Sequence, residues 1–142
     1  MRNREILFKA KRIDNGEWVE GVPISTHIGT FMVFEENPHY CSQYGYMEID
    51  GLCKVDSNTL CEYTGLMDSN GNKIWENDIV NCPQEECCGK ITWNEYEAGF
   101  YFFILMGDGL FEEENLYDYV DVIYVIGNTF DNPELLESEV EE

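Results

Sequence analysis

Between Cys61 and Val80 two apolar arms flank Asn70-Gly71, and this arrangement directs the chain into an antiparallel hairpin. Glu62-Tyr63-Thr64 is extended before the turn, Lys73-Ile74-Trp75 resumes the strand after it, and Asp78-Ile79-Val80-Asn81 starts another. Asn-Gly accepts the positive φ that both central positions of a type I′ turn require, so the pair predicts that turn and the register of the sheet it joins.

The same punctuation continues in both directions. Ile6, Phe8 and Ala10 alternate with Leu7, Lys9 and Lys11, the period of a half-buried strand. Asp14-Asn15-Gly16-Glu17 supplies a turn, and Trp18 to Val22 returns as a second strand stopped by Pro23. Thr30 to Phe34 is a third. Residues 35–60, broken by Asn37-Pro38, Gly45, Gly51 and Ser57-Asn58, read as loops with one or two brief strands, a natural place for a binding surface. Lys90 to Trp93 alternates. Phe100 to Leu105 is apolar on both faces, as a central strand is, and Gly107-Asp108-Gly109 breaks it. Tyr119 to Ile126 is the last strand, closed by Gly127-Asn128. Asn132-Pro133-Glu134 then has the N-cap, N1 proline and first-turn acid of a helix start. Leu135, Leu136 and Val140 give that helix an apolar side, and Glu137, Glu139, Glu141 and Glu142 make its end a fraying tail.

Short strands between frequent turns define a mostly β fold. The expected architecture is a set of short-strand antiparallel sheets, with a small, strongly bent barrel in the C-terminal half and a short C-terminal helix. At 142 residues the chain is the size of one domain. Within it, an N-terminal β region spans about 1–60, a barrel-like region about 61–130, and an acidic helical tail 131–142.

Charge limits the partners. Eight Lys and Arg stand against 29 Asp and Glu, a formal net of −21, and such a chain repels a phosphate backbone, so direct nucleic-acid binding is not expected. Of the basic residues, Arg2, Arg4, Lys9, Lys11 and Arg12 lie in the first twelve positions, and none follows Lys90. No export signal precedes Ile6-Leu7-Phe8, and the longest apolar run, Phe100 to Met106, is far short of a membrane span. A cytoplasmic protein with no membrane contact is the expectation, and Cys41, Cys53, Cys61, Cys82, Cys87 and Cys88 are then reduced thiols.

The candidate chemical sites are few. Cys82, Cys87 and Cys88 flank Pro83-Gln84-Glu85-Glu86 and are weak metal-ligand candidates, lacking the CxxC and His spacing of a zinc knuckle. Asp68 to Asn72 begins like a calcium loop, but its glycine falls too early and Ile79 occupies the place of the bidentate glutamate. Glu76 and Asp78 project from one side of an extended chain, a spacing that suits turn capping or a strand edge. His27 and His39 have no nucleophile at motif spacing. Tyr40, Tyr44, Tyr46, Trp75, Trp93, Tyr96 and Tyr101 are candidates for a groove or subunit contact. No catalytic residue and no cofactor site emerges.

Three pieces of the chain resemble the YopX family of phage- and prophage-encoded proteins. They are Arg4-Glu5-Ile6-Leu7-Phe8-Lys9-Ala10, then Tyr63-Thr64-Gly65-Leu66 with Asp68, Asn70-Gly71, Ile74 and Glu76 to Val80, and last Val125-Ile126-Gly127-Asn128 with Asp131 to Leu136. The departures are Cys61 in place of a common glutamine, Asn77 in place of a common glycine, and the insertion from Cys82 to Cys88. An asparagine in the glycine's place fits a left-handed turn position. The resemblance implies a mostly β, oligomeric protein of the bacterial cytoplasm and carries over no catalytic residues. The reading that follows is a non-enzymatic protein-binding or self-assembling β module, a homo-oligomer or the partner of another protein. One alternative is an acidic DNA mimic presenting Glu112-Glu113-Glu114, Asp118 and Asp121 to a nucleic-acid-binding protein. The other is a small metal-binding enzyme or regulator using Cys82, Cys87 and Cys88 with Asp78.

Overall fold

The computed structural model describes residues 5–34, 39–49, 51–105 and 111–137. Arg2, Arg4, Asn37-Pro38, Gly107-Asp108-Gly109 and the tail from Ser138 lie outside the described residues. The fold is mostly β, and the chain divides into two compact units, Met1–Glu62 and Tyr63–Glu142.

In the first unit β1 (Phe8–Lys11), β2 (Trp18–Thr26), β3 (Gly29–Val33) and β6 (Leu52–Val55) pair antiparallel in the order β6-β3-β2-β1. The first two residues of β7 (Cys61–Met67) join the far side of β1, with Cys61 opposite Lys9. The β1 to β2 turn forms where Gly16 adopts φ +74° and Arg12 accepts the Gly16 N–H at 2.9 Å. Pro23 does not stop β2, which continues to Thr26 with Pro23 opposite Met32. The reason is local: β1 reaches only to Gly21, so beyond it β2 is paired on one side, where a missing N–H is tolerated. Among the described residues between 35 and 60 there are three strands instead of one or two. β4 (His39–Cys41) and β5 (Tyr46–Glu48) make a separate hairpin, and β6 joins β3.

The inward side of this unit is small. Ala10, Met32 and Val55 are buried, with Phe8, Val19, Cys53 and Leu60 packed against them. At its free edge β6 meets the chain after β1 through a bridge between Val55 and Arg12, flanked by Asp56 N–H to Lys11 carbonyl at 2.8 Å and Ile13 N–H to Lys54 carbonyl at 3.1 Å. The sheet curls but is not a closed barrel.

In the second unit β7 continues from Tyr63 and pairs with β8 (Lys73–Trp75). A five-stranded antiparallel sheet follows in the order β12-β11-β10-β9-β13. Its strands are β9 (Asp78–Cys82), β10 (Cys87–Asn94), β11 (Gly99–Leu105), β12 (Phe111–Asn115) and β13 (Tyr124–Asn128). The expected bent barrel is therefore corrected to an open sheet. β12 is one edge, and its Glu112-Glu113-Glu114 run is the charge pattern that keeps an edge from pairing. The last strand starts at Tyr124 and not at Tyr119, because Leu116 to Asp118 form a 3-10 turn capped by Asn115 Oδ1 accepting the Tyr117 N–H at 2.9 Å. Ile74, Val80, Cys82, Ile91, Phe102, Ile104, Leu116 and Ile123 make one continuous core.

The expected two-residue turn at Asn70-Gly71 is corrected too. Met67 pairs with Lys73, leaving a five-residue loop in which Gly71 alone takes a positive φ, +84°. Asp68 supplies the reason. Its Oδ1 accepts the N–H groups of Asn70 at 2.9 Å and Asn72 at 2.8 Å, an intraloop cap that closes the wider turn. α1 (Glu134–Glu137) is a single turn. Asn132 does not cap it through its side chain, which instead accepts the Asn128 N–H at 3.2 Å.

Candidate interaction surface

Strand alternation gives the sheet of the first unit two unlike faces. The register rows Val22-Val33-Leu52 and Ile24-Phe31-Lys54 place five aliphatic or aromatic side chains on the outward face. Val22 remains 51% exposed, Ile24 42% and Leu52 44%, levels far above those of core residues. The two-residue turn after β2 adds Ile28, 62% exposed, and is held by Thr26 Oγ1, which accepts the Ile28 N–H and donates to the Gly29 carbonyl. Ile24, Thr26, His27, Ile28, Phe31 and Leu52 line an open groove of about 480 Å³ without a carboxylate or ammonium group.

The charged strand residues on this face are mostly cations. Lys9 and Lys11 lie over the Trp18 ring, 4.7 and 5.4 Å from its centroid, and Lys54 stands opposite Phe31 with its stem over Gly29. Glu20, opposite Lys9, is the one anion among the described strand residues of this face in β1, β2, β3 and β6. A chain of net charge −21 thus places positive charge around this apolar face. The β4–β5 hairpin in the same unit adds exposed Tyr40, Tyr44 and Tyr46, with the last two rings stacked 6.2 Å apart.

The other candidates resolve into architecture or disperse. Asp68 is 6% exposed, and its second oxygen, Oδ2, accepts the Val125 N–H at 2.8 Å. Burial pushes this carboxyl up, but the N–H groups of Val125, Asn72 and Asn70 outweigh it and hold the group below the ordinary aspartate value. Asp78 is buried and accepts the Trp75 N–H at 2.8 Å, closing a turn in which Asn77 has φ +72°, as the asparagine in the glycine's place suggested. Cys82 and Cys87 stand opposite each other across β9 and β10, while Cys88 falls on the reverse face with its Sγ 3.6 Å from Asn81 Oδ1. No group of three metal-ligating side chains forms among the described residues. His27 is exposed in the β2 to β3 turn, and the side chain of His39 lies outside the described part.

Of the seven aromatic candidates, Trp75 is buried against Tyr63 and Tyr101 is half-buried in β11, while Trp93 and Tyr96 are exposed at the β10 to β11 turn. The acidic run of β12 alternates between faces. Glu113 lies opposite Phe103, and Glu112 and Glu114 take the other side, where burial first and then Glu114, Glu85, Cys82 and Glu112 push the Tyr119 hydroxyl up. Asp118 and Asp121 are exposed beyond it. The aliphatic outer face was legible as single positions, Val22 and Phe31 among them, but the continuation of β2 past Pro23 that aligns them was not.

Three comparisons place this geometry among known proteins. A family model described as YopX protein matches residues 8–137. The crystal structure of protein EF1440 from Enterococcus faecalis shares the fold, with a TM-score of 0.63 at 23% identity, covering 94% of this chain and 99% of that one. No curated protein matches. No helix among the described residues is long and apolar enough to cross a membrane.

Proposed function

The chain belongs to the YopX family, and from that premise we propose that it is a non-enzymatic, self-assembling β module whose contact surface is the outer face of β2, β3 and β6. The observation that carries this reading is the uncovered row of Val22, Ile24, Phe31 and Leu52 with Ile28 beside it. Soluble monomers scatter exposed apolar side chains singly, and a contiguous set marks an interface.

The occupant is a second copy of the chain. Its field is strongly negative, and the described strand residues of this face carry Lys9, Lys11 and Lys54 against one anion, Glu20, so local charge favours the approach of another acidic copy. A two-fold pairing sets the uncharged centre against itself and puts the Lys residues within reach of the partner copy's carboxylates. Long-range repulsion between two chains of charge −21 opposes this contact, so added salt tightens it.

Sedimentation equilibrium over a range of protein concentrations tests the reading. The expected result is a dimer mass that strengthens from low to high salt and reverts to the single-chain mass in Ile24→Asp. A single-chain mass at every concentration and salt, or a dimer indifferent to Ile24→Asp, overturns it.

A further inference from the structure

The β9–β10 hairpin brings two thiols together in a way no other cysteine of the chain shares. Cys82 ends β9, Cys87 begins β10, and the register sets them directly opposite. The other cysteines face different residues: Cys41 is opposite Tyr46, Cys53 opposite Met32, Cys61 opposite Lys9 and Cys88 opposite Asn81. Directly opposed residues of an antiparallel pair have Cα atoms about 4.5 to 5.5 Å apart. A disulfide spans Cα separations of about 4.4 to 6.8 Å. Side chains of an opposed pair also leave the sheet on the same face, and Cys87 packs against the core that contains Cys82.

The turn between them is closed. Glu85 N–H donates to the Cys82 carbonyl and Glu86 N–H to the Pro83 carbonyl, both at 3.1 Å, and Glu86 takes φ +52° to bring the chain back into β10. Access differs between the two sulfurs. Cys82 is fully buried, whereas Cys87 is half-buried and follows the exposed residues Glu85 and Glu86.

We infer that Cys82 and Cys87 form an oxidisable dithiol that closes to a cross-strand disulfide by exchange with small cationic disulfides. The more accessible Cys87 gives up its proton, and its thiolate attacks one sulfur of the incoming disulfide. A Cys87 mixed disulfide forms, and the released thiolate takes a proton. Cys82 then loses its proton and attacks the Cys87 sulfur, expelling the second small thiolate, which is protonated in turn. One disulfide forms in the protein, the incoming disulfide is reduced to two thiols, and no proton is gained or lost overall. Glu85 and Glu86 beside the entry sulfur, on a chain of charge −21, favour a cationic reagent over an anionic one.

The test uses the folded full chain with cystamine as the cationic disulfide and oxidised glutathione as the anionic one. Remaining thiols are alkylated, and the chain is cleaved after Glu85 and Glu86, which severs the turn between the two cysteines. The expected result is that the two halves stay joined until reduction, in wild type and in Cys88→Ser alike, and that cystamine reacts severalfold faster at low salt. Cys82→Ser traps the reagent on Cys87 as a stable mixed disulfide. Should that variant fail to fold, the map of the wild-type chain decides alone. Halves that separate before reduction, as a Cys87-Cys88 bond or an unreacted Cys82 would give, overturn the inference. Equal rates with the two reagents overturn the role of the glutamates.

Discussion

The two units use their apolar residues in opposite ways. In the second, Ile74, Val80, Ile91, Phe102, Ile104 and Ile123 are withdrawn from solvent into one core, and only Met67, Trp93, Tyr96 and Tyr117 among its described large apolar side chains stay exposed. In the first, the core centres on Ala10, Met32 and Val55, while Val22, Ile24, Ile28, Phe34 and Leu52 are left outside. Asp68, Asp78, Asn77 and Asn132 of the second unit are engaged in backbone turns, whereas Lys9, Lys11 and Lys54 of the first border an apolar face. The lesson is that two of the three pieces that carry the family resemblance build turns and strands of the second unit, whereas the contiguous exposed apolar face belongs to the first.

The largest effect comes from breaking the core that makes this contrast. Phe102 is fully buried, its ring meets Tyr119 edge to face at 5.8 Å, and Gly89 is a glycine because a Cβ there would collide with that ring. Phe102→Ala leaves a cavity beneath β10, and we expect a loss of about 3–5 kcal/mol in urea unfolding. A loss below ~1 kcal/mol would show that the second unit is not organised around this core.

Asp68 tests whether the family signature is structural. It accepts three backbone N–H groups, two within its own loop and one from Val125 of β13, so Asp68→Asn sets an amide NH₂ against at least one of those donors. A buried donor left unmatched costs about 1–3 kcal/mol. Because the folded carboxyl is held below its ordinary value, its contribution is complete above the unfolded aspartate pKa and is lost as pH falls through the depressed folded value. The stability gap between wild type and Asp68→Asn should therefore be constant at neutral pH and narrow only in acid. A gap that widens on acidification would falsify this role.

The second unit was the more legible one. Asp68, Asn77 and Asn132 are residue types that turns select, and such chemistry is local enough to read along the chain. Gly127 shows the limit. It looked like a strand terminator, yet its reason is distant: a Cβ there would strike the Asn132 side chain folded back onto Asn128. The two-residue turn at Asn70-Gly71 differs similarly, since the pair alone favours the tight turn, whereas Asp68 Oδ1, accepting the Asn70 and Asn72 N–H groups, closes the wider loop. Closure into a barrel was overestimated because strand count says nothing about edges, and the glutamates of β12 keep one open. The aligned apolar outer face was hidden by Pro23, whose effect depends on where β1 ends, a tertiary fact.

The smallest expected change is also the one that ties the comparison to function. Ile28 sits in the β2 to β3 turn, 62% exposed, and its N–H, not its side chain, is held by Thr26. Ile28→Ser removes apolar surface from the groove without opening a cavity, so the stability of the monomer should stay within about 0.5 kcal/mol of wild type in urea unfolding at low protein concentration. A core position of the second unit cannot lose a comparable side chain so cheaply. If Ile28→Ser instead destabilises the monomer by ~2 kcal/mol or more, the side chain is packed within its own chain, and the first unit withdraws its apolar residues from solvent just as the second does. If the monomer is unchanged, the Ile28 side chain contributes nothing measurable to holding the chain folded, which leaves it available to the contact proposed for this face.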